Sequence, residues 1–347
     1  MKLFVTGGAG FIGANFIHLV LAEKKDWHIL NFDKLTYAGN PANLGPVASN
    51  PRYTFVRGDI CDASAVATAI PGCDAVLHFA AESHVDRSIY EPAPAIQTNV
   101  IGTFTLLQVA RELRVPRFLH VSTDEVYGDL PPGVTSDEWF PIRPSSPYAA
   151  SKAAADHLVQ SYVRTYGFPA VIARPSNNYG PYQFPEKFLP LIITNALAGK
   201  ELPLYGDGGN QRNWLHVTDN CRALLAVLER GRSGAIYNIG GPDVVDNLSM
   251  ARRVLRLLNR PESLIRHVTD RPGHDRRYAV DSSRISSELD WRPCVSLEDG
   301  LRQTADWYAS NAAWVDAVRD GRYQSYYSRY YDNRDASLGG VIQARKG

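Results

Sequence analysis

A glycine-rich loop near the amino terminus constrains the fold more than any other feature of this sequence. Residues 6–13 read Thr-Gly-Gly-Ala-Gly-Phe-Ile-Gly and follow a short apolar run, Leu3–Thr6. Glycines at positions 7, 10 and 13 allow a tight turn, a close approach of the backbone to a pyrophosphate, and close helix–strand packing. The amino terminus of the following helix offers free N–H groups to phosphates. The alternative is an ordinary glycine turn, but the flanking strand and helix favour a dinucleotide site.

Short apolar runs alternate with longer helical segments through the first half of the chain. The predicted strands are Leu3–Thr6, His28–Asp33, Tyr53–Arg57, Ala75–Phe79, Phe118–Ser122 and Ala170–Arg174. The predicted helices between them are Phe11–Leu21, Val100–Leu113 and Tyr148–Tyr166. Buried strands that alternate with helices form parallel sheets covered on both faces. The sequence therefore predicts an α/β protein with a Rossmann-type doubly wound parallel sheet.

Glycine, proline and aromatic residues become frequent after Arg174 and indicate a change of architecture. We predict a dinucleotide-binding domain over residues 1–180, to which segments near 215–240 return as a helix, Val217–Leu228, and a strand, Ala235–Ile239. Residues 181–330 are then mainly a smaller, discontinuous C-terminal substrate lobe. Residues 331–347 are polar and are predicted to be a loosely ordered tail.

Charge and cysteine usage exclude several classes of protein. With 37 basic and 36 acidic residues the net charge is +1, so no global field attracts nucleic acid or an anionic membrane. No stretch has the length of a membrane span and no signal peptide is evident, so we expect a cytoplasmic protein. The cysteines lack disulfide or metal-ligand spacing, so we expect buried free thiols and no metal site at Cys61, Cys73, Cys221 and Cys294.

The end of the second predicted strand indicates which dinucleotide is bound. Asp33 lies 20 residues after Gly13, where a carboxylate accepts hydrogen bonds from a ribose diol and repels a 2′-phosphate. This favours NAD over NADP, although Lys34 beside it weakens the repulsion and a plain turn aspartate is the alternative. Asp59 and Ile60 follow the third strand, where they would contact the adenine, but a surface loop is nearly as consistent with the sequence.

A tyrosine and a lysine four residues apart begin the predicted helix Tyr148–Tyr166. Tyr148 and Lys152 share one helix face, so the lysine ammonium lies beside the phenol. That charge, with a positive nicotinamide ring, is expected to lower the pKa of Tyr148 and make it a base at neutral pH. An amphipathic helix contact is the alternative, and the upstream dinucleotide motif argues against it.

A threonine and two acidic residues, Thr123, Asp124 and Glu125, follow the fifth predicted strand. In open α/β sheets the ligand lies outside the carboxyl ends of the strands. Two adjacent carboxylates in different environments serve as an acid and a base, and the Thr123 hydroxyl can orient a sugar oxygen. The alternative is that these residues cap a helix or cluster in a loop.

From Met1 to about Arg329 the sequence resembles the extended short-chain dehydrogenase/reductases, and among them the dTDP-glucose 4,6-dehydratase family. The most specific match is Thr123-Asp124-Glu125 together with Tyr148 and Lys152, because epimerase relatives lack the acidic pair. Further matching stretches are 33–40, 80–88, 177–187, 206–214 and 271–274. With the glycine loop they give a cofactor set of Gly7, Gly10, Phe11, Ile12, Gly13, Asp33, Lys34, Thr36, Asp59, Ile60, Ala80, Ala81, Tyr148 and Lys152.

The resemblance also implies a site for the diphosphate and ribose of a nucleotide sugar, and Ser83 and Thr123 near its glucose. Its implied residues are Asn177, Lys187, Phe188, Arg212, Asn247, Arg271 and His274. The chain departs from the family at Phe188, where a leucine is usual, and in residues 240–247, which lack an Asn-Glu pair. These departures leave dTDP and UDP both open as the nucleotide.

The implied reaction oxidises C4 of the sugar transiently, removes water across C5 and C6, and returns the hydride to C6. Tyr148 is the implied base at the 4-hydroxyl, Glu125 the base at C5 and Asp124 the acid at the C6 hydroxyl. A UDP-sugar dehydratase, a nucleotide-sugar epimerase or decarboxylase, and a non-catalytic NAD-binding protein remain alternatives. A homodimer through Val100–Leu113 and Tyr148–Tyr166 is also implied, unless those faces are simply core.

Overall fold

A computed structural model describes residues 1–319 of the chain and is built around one large parallel sheet. Its strands are β1 (Lys2–Thr6), β2 (His28–Asp33), β3 (Tyr53–Arg57), β4 (Ala75–His78), β5 (Phe118–Val121), β6 (Ala170–Pro175) and β10 (Ile236–Ile239). They lie in the order β10-β6-β5-β4-β1-β2-β3, and every neighbouring pair is parallel. Because the order reverses between β1 and β4, ligands are expected at the carboxyl ends of these two strands.

Helices cover both faces of this sheet. Those of the first half are α1 (Phe11–Glu23), α2 (Ala63–Ala69), α3 (Val85–Tyr90), α4 (Pro92–Ala95), α5 (Thr103–Glu112) and α6 (Pro147–Tyr166). Two apolar clusters fill the space between helices and sheet, one containing Phe16 of α1 and the other Leu106 of α5. Burial of each such side chain is worth roughly 1.5–3 kcal/mol, so the sheet is a rigid support for the loops at its edge.

A smaller set of strands and helices follows β6. The strands are β7 (Asn177–Tyr179), β8 (Leu202–Tyr205), β9 (Gln211–His216), β11 (Asp243–Asp246) and β12 (Ile265–Val268), arranged in sheets β11-β9-β7 and β12-β8. The helices are α7 (Phe188–Leu197), α8 (Val217–Arg230), α9 (Asn247–Leu257), α10 (Ser283–Leu289), α11 (Leu297–Ser310) and α12 (Ala312–Val318). A third apolar cluster, which includes Ile192, Val254 and Leu301, lies among α7, α9 and α11.

The chain returns to the large sheet after the smaller sheets begin. β10 pairs with β6, and α8 packs on α1, so residues 217–239 lie with the larger part of the molecule. A second return, which the sequence did not indicate, brings α10 onto α8 and β10. The domain boundaries at 180 and 330 remain predictions, and the tail predicted for 331–347 lies outside the described residues.

The predicted α/β fold class is confirmed, and the predicted strands of the large sheet end within one residue of the observed bounds. The helix predicted at Val100–Leu113 was placed too late, because helical structure starts earlier with a π-helical turn, Ile96–Gly102. This turn carries Asn99, a buried polar residue that interrupts the apolar pattern. The expectation of four buried thiols was wrong for Cys294, which is exposed, and for Cys61, which is half-buried.

Between residues 1 and 319, no helix combines the length and the apolar character needed to cross a bilayer.

Candidate active site

The glycine loop forms a cradle at the junction of β1 and α1. Gly7 has a φ of +70°, and a Cβ there would lie 2.5 Å from the backbone nitrogen of Ala80, which follows β4. A Cβ on Gly13 would lie 2.5 Å from the carbonyl oxygen of Gly7. Gly10 precedes α1 without any side-chain cap, so the first N–H groups of the helix are available. These features fit a dinucleotide pyrophosphate, which needs close backbone approach and helix N–H donors.

The acidic residue after β2 is held in place by the backbone. Asp33 Oδ2 accepts a hydrogen bond from the N–H of Ala9 at 2.9 Å, and Oδ1 accepts from the N–H of Leu35 at 2.8 Å. Burial raises the pKa of Asp33, and these two hydrogen bonds oppose the rise. Lys34 instead forms an ion pair with Asp59 at 2.7 Å. Its charge is therefore partly neutralised by Asp59, which leaves the Asp33 carboxylate to repel a 2′-phosphate.

A first pocket runs from the glycine loop to Tyr148 along the carboxyl ends of the strands. It is lined by the whole predicted cofactor set: Gly7, Gly10, Phe11, Ile12, Gly13, Asp33, Lys34, Thr36, Asp59, Ile60, Ala80, Ala81, Tyr148 and Lys152. Ser83, predicted near the glucose, also lines this pocket. The residues that the sequence suggested for a dinucleotide therefore converge on one continuous groove.

Tyr148 and Lys152 begin α6 and lie at the inner end of the first pocket. The Lys152 ammonium donates a hydrogen bond to the carbonyl oxygen of Val121, the last residue of β5, at 2.8 Å. The prediction that this lysine together with a positive nicotinamide lowers the pKa of the phenol concerns the cofactor complex, and it stays a prediction. Burial, with the negative charge of Glu125 next, raises the pKa of Tyr148 well above its ordinary value. Spacing along a helix shows which charges are near the phenol but does not reveal how deeply it is buried.

Thr123, Asp124 and Glu125 form a short turn between β5 and the site. Thr123 caps the 3₁₀ turn Asp124–Tyr127, because its hydroxyl oxygen accepts a hydrogen bond from the N–H of Glu125 at 3.3 Å. The capping alternative is thus also correct. A hydrogen bond from Thr123 also favours the ionised form of Tyr148 and lowers its pKa. The threonine therefore links the acidic pair to the tyrosine.

The two neighbouring carboxyl groups lie in different environments. Asp124 is 2% exposed, and burial followed by repulsion from Glu125 raises its pKa to about 8. Its Oδ2 is buried without a hydrogen-bond partner among the described residues. Burial also raises the pKa of Glu125, but Arg271, Lys187 and Arg212 oppose that rise. At neutral pH Asp124 therefore carries a proton that it can donate, while the cations favour an ionised Glu125.

A second pocket adjoins the first and contains Glu125 together with several buried cations. Its lining includes every residue predicted for the nucleotide diphosphate: Asn177, Lys187, Phe188, Arg212, Asn247, Arg271 and His274. The side-chain oxygens of Asn177 and Asn247 are buried without a hydrogen-bond partner in the part of the chain that the structure describes. Buried cations and unpartnered amides are costly unless a polar anionic ligand completes them.

The departures from the family pattern have clear local roles. Phe188 packs against Trp214 with ring centroids 6.0 Å apart and forms part of the pocket wall. In residues 240–247, β11 pairs with β9, and Asp246 caps α9 by accepting a hydrogen bond from the N–H of Ser249. Asn247 begins that helix, so the altered segment still delivers an amide into the pocket.

Several site residues were not singled out from the sequence. Asp86 accepts a hydrogen bond from Arg271 at 2.8 Å and another from the hydroxyl of Tyr205 at 2.6 Å, which fixes the guanidinium at the second pocket. Glu186 accepts two hydrogen bonds from Arg87, at 3.1 and 2.9 Å. Asp86 and Glu186 lie inside matching stretches quoted above, but pairings across 185 and 99 positions cannot be read from spacing.

The two pockets share one segment of chain. Gln183, Glu186 and Lys187 line both, and the Lys187 ammonium donates a hydrogen bond to the carbonyl oxygen of Ser83 at 2.6 Å. Tyr148 from the first pocket and Glu125 from the second face each other closely enough for their charges to interact. A dinucleotide in one pocket and a second ligand in the other would therefore meet at these two side chains.

Comparison with known proteins agrees with this arrangement. The family model described as GDP-mannose 4,6 dehydratase matches residues 4–304. The dTDP-glucose 4,6-dehydratase 1 of Escherichia coli K12 is 48% identical, with 96% of this chain and all of that protein covered. A solved dTDP-glucose 4,6-dehydratase of Streptomyces venezuelae, with NAD bound, has 50% identity and a TM-score of 0.90, covering 92% of this chain and all of that one. A UDP-glucose 4-epimerase of Thermus thermophilus, also with NAD, has 30% identity and a TM-score of 0.83, covering 90% of this chain and all of that one.

The parallel sheet, the glycine cradle and the Tyr148–Lys152 pair define an enzyme of the extended short-chain dehydrogenase/reductase type. Within that class the family model over residues 4–304 shows a nucleotide-sugar 4,6-dehydratase, and the relatives at 48% and 50% identity show that the chain belongs to the family of the dTDP-glucose 4,6-dehydratases. The resemblance inferred from the sequence is confirmed.

Proposed function

We propose that the chain catalyses the NAD-dependent removal of water from dTDP-glucose, giving the 4-keto-6-deoxyglucose nucleotide for deoxysugar biosynthesis. The observation that carries this proposal is the Asp124–Glu125 pair, in which a neutral acid and a cation-faced carboxylate lie beside Tyr148. Elimination of water needs an acid and a base in addition to the residue that handles the 4-hydroxyl. Epimerisation at C4 does not need this pair, and the epimerase match is less similar than the dehydratase matches.

The first pocket is the proposed site of NAD. When bound there, NAD supplies a nicotinamide that takes the hydride from C4 and returns it to C6. The glycine cradle and the start of α1 hold the pyrophosphate, and Asp33 accepts hydrogen bonds from the adenosine ribose. Tyr148 accepts the proton of the 4-hydroxyl, and the hydrogen bond from Thr123 lowers its pKa against the effect of burial. The Lys152 ammonium and the oxidised ring of bound NAD would favour the phenolate further.

The acidic pair then performs the elimination. Glu125 removes the proton at C5, which the neighbouring ketone has made acidic, and the cations around it favour its ionised form. Asp124 gives its proton to the departing C6 hydroxyl. A carboxyl group whose pKa is about 8 retains that proton at neutral pH, so it is ready to act as the acid.

The second pocket is the proposed site of the nucleotide diphosphate. Lys187, Arg212 and Arg271 bring positive charge to it, as a pyrophosphate requires in a chain of almost zero net charge. Asp86 orients Arg271, and Asn177 and Asn247 have free amide oxygens for sugar or ribose hydroxyls. Phe188 and Trp214 provide an apolar wall beside these polar groups.

A substrate labelled with deuterium at C4 tests the reaction. The purified protein is incubated with labelled dTDP-glucose, and NMR and mass spectrometry identify the product. We expect the loss of one water, deuterium in the new methyl group at C6, and solvent hydrogen at C5. The deuterium reaches C6 because elimination makes that carbon the electrophilic end of a conjugated ketone.

The Glu125→Gln variant is the matched control for this experiment. It keeps the size of the side chain and leaves Tyr148 and Lys152 unchanged, so bound NADH should still form while elimination and solvent exchange at C5 are suppressed. Deuterium that remains at C4 in the wild-type product would show an epimerase instead. Turnover of UDP-glucose in preference to dTDP-glucose would keep the chemistry and change the nucleotide.

A homodimer is part of the same proposal. Three large apolar side chains are exposed on the π-helical turn before α5 and at the start of α5, namely Ile96 at 44%, Ile101 at 43% and Phe104 at 45%, and a second copy would cover them. The Phe104→Glu variant should then sediment as a monomer at concentrations where the wild type sediments as a dimer. A monomeric wild type would refute the dimer without affecting the proposed reaction.

A further inference from the structure

A buried carboxylate lies one helical turn beyond Lys152 on the same face of α6. Asp156 follows Lys152 by four positions and has no exposed surface. Its Oδ2 accepts a hydrogen bond from Nε of Arg174 on β6 at 2.8 Å. Its Oδ1 has no hydrogen-bond partner among the described residues and lies 3.5 Å from Nε2 of His120 on β5. Arg174 therefore fixes one carboxylate oxygen of Asp156, and the other oxygen is buried without a hydrogen bond among the described residues.

Asp156 supplies negative charge to two buried cations, Arg174 and Lys152. Lys152 is 3% exposed and Arg174 is 1% exposed, and the charges of both act on His120. Burial lowers the pKa of His78 to about 3, and it lowers the pKa of His120 well below the ordinary value, so both rings are neutral at physiological pH. Asp156 is the group that opposes the effect of burial on the Lys152 ammonium. An unbalanced buried ammonium loses its proton more readily than an exposed one.

We propose that Asp156 is a positioning residue that keeps the buried ammonium of Lys152 protonated, so that the lysine can act on the Tyr148 phenol and the cofactor. Arg174 fixes the direction of Asp156, and His120 fills the space next to its free oxygen as a neutral ring. This inference rests on the catalytic role proposed for Lys152. It assigns a function to a residue two helical turns from Tyr148 that touches neither pocket.

The proposal predicts a pH dependence with a definite sign. Burial lowers the pKa of Lys152 to about 8 while Asp156 opposes that effect, so removal of the Asp156 charge should move the loss of the lysine proton to lower pH. The shift should be about one unit or more, as expected for a nearby buried opposite charge. The titratable and charged groups that face Lys152 or its immediate neighbours are Tyr148 and Asp156 on α6, His78 on β4, His120 on β5, Arg174 on β6, and Asp124 and Glu125 in the turn after β5.

The first test needs no substrate. Protein labelled with ¹³C at the lysine ε-carbon is titrated by NMR, and the Lys152 signal is assigned by its loss in Lys152→Met. In Asp156→Asn the amide oxygen can still accept a hydrogen bond from Arg174, and the midpoint of the Lys152 titration should fall by about one pH unit. Asp156→Ser removes the same charge with a smaller side chain and should show the same fall. Asp156→Glu keeps the charge and should restore a midpoint close to that of the wild type.

The second test is the pH profile of dehydration. In Asp156→Asn the alkaline limb of kcat should move to lower pH, with activity at pH 8 reduced about tenfold relative to its own maximum, against about twofold in the wild type. Asp219→Asn is the matched control, because Asp219 is as deeply buried and accepts hydrogen bonds from the N–H groups of Cys294 and Val295, but lies outside the groups around Lys152. It should lower stability without moving the limb.

The outcomes separate this inference from the proposed function. A Lys152 titration that is unchanged in both Asp156→Asn and Asp156→Ser overturns the role of Asp156, whatever the enzyme catalyses. A wild type that does not dehydrate nucleotide-linked glucose overturns the proposed function, while the NMR titration still decides the role of Asp156. An equal shift in Asp219→Asn would show that any lost buried carboxylate has this effect and would also overturn the assignment.

Discussion

Replacement of Asp124 by asparagine should make the protein more stable and less active. Asparagine has nearly the shape of a protonated aspartate and carries no ionisable proton, so it keeps the neutral form that the buried site favours. The variant should lose elimination, because an amide cannot give its proton to the C6 hydroxyl. Its stability should rise because the wild type must hold a carboxyl group neutral against its tendency to ionise in water.

The size of the gain follows from the pKa of Asp124, which burial raises from an ordinary 3.8 to about 8. The stability contributed by the neutral carboxyl is complete below pH 3.8 and is lost progressively as the pH rises to about 8. Each unit is worth about 1.4 kcal/mol, so the wild type is weakened by on the order of 4 kcal/mol at pH 7. Asp124→Asn lacks this penalty, and its advantage should therefore grow between pH 5 and pH 8.

Thermal unfolding of both proteins at pH 5, 6, 7 and 8, with equal saturating NAD, measures the difference. We expect the melting temperature of the variant to exceed that of the wild type by a margin that widens with pH. Glu125→Gln is the comparison, and its margin should vary less because three cations already oppose the ionisation penalty of Glu125. A constant margin across this range, or a variant that is less stable at pH 8, would refute the reasoning.

Three further results are expected. Tyr148→Phe should keep the fold by circular dichroism and reduce C4 oxidation by orders of magnitude in a bound-NADH assay, and near-normal oxidation would identify another base. Arg212→Ala should raise KM for the nucleotide sugar. It should also move the acidic limb of kcat to higher pH, because the Arg212 charge lowers the pKa of Glu125. If neither KM nor the limb changes, Arg212 does not belong to the site. Denatured enzyme should release NAD. NADP should not restore activity to the protein stripped of NAD, unless Asp33 is replaced by a smaller neutral residue such as serine. Restored activity of the wild type with NADP would contradict the role of Asp33.

The features that could be predicted from the sequence depend on local patterns. Most strands of the large sheet are short buried apolar runs, and the edge strand β3 is a short run of aromatic and β-branched residues, so β2 and β3 were predicted with their observed bounds. The glycine cradle and the Tyr148–Lys152 spacing are also local. The resemblance supplied the residues of the second pocket, because no local pattern links Lys187 with Arg271.

The features that could not be predicted depend on the folded environment. The pKa of Tyr148 is raised because the phenol is buried beside Glu125, and neither fact is visible in a four-residue spacing. The pairing of Lys34 with Asp59 and that of Asp86 with Arg271 join distant parts of the chain. The strands β7, β8, β9, β11 and β12 were not predicted, since they are three to six residues long and lie among glycines, prolines and polar residues.

The segment shared by the two pockets makes their occupancies interdependent. Because Gln183, Glu186 and Lys187 line both sites, we expect a ligand in one pocket to fix these side chains in part for a ligand in the other. The resulting cooperativity is reciprocal: the factor by which the dinucleotide tightens the nucleotide sugar equals the factor by which the sugar nucleotide tightens the dinucleotide. An enzyme that regenerates its dinucleotide in every cycle would then hold the cofactor most tightly while the nucleotide sugar is bound, which is the period in which the cofactor carries the hydride.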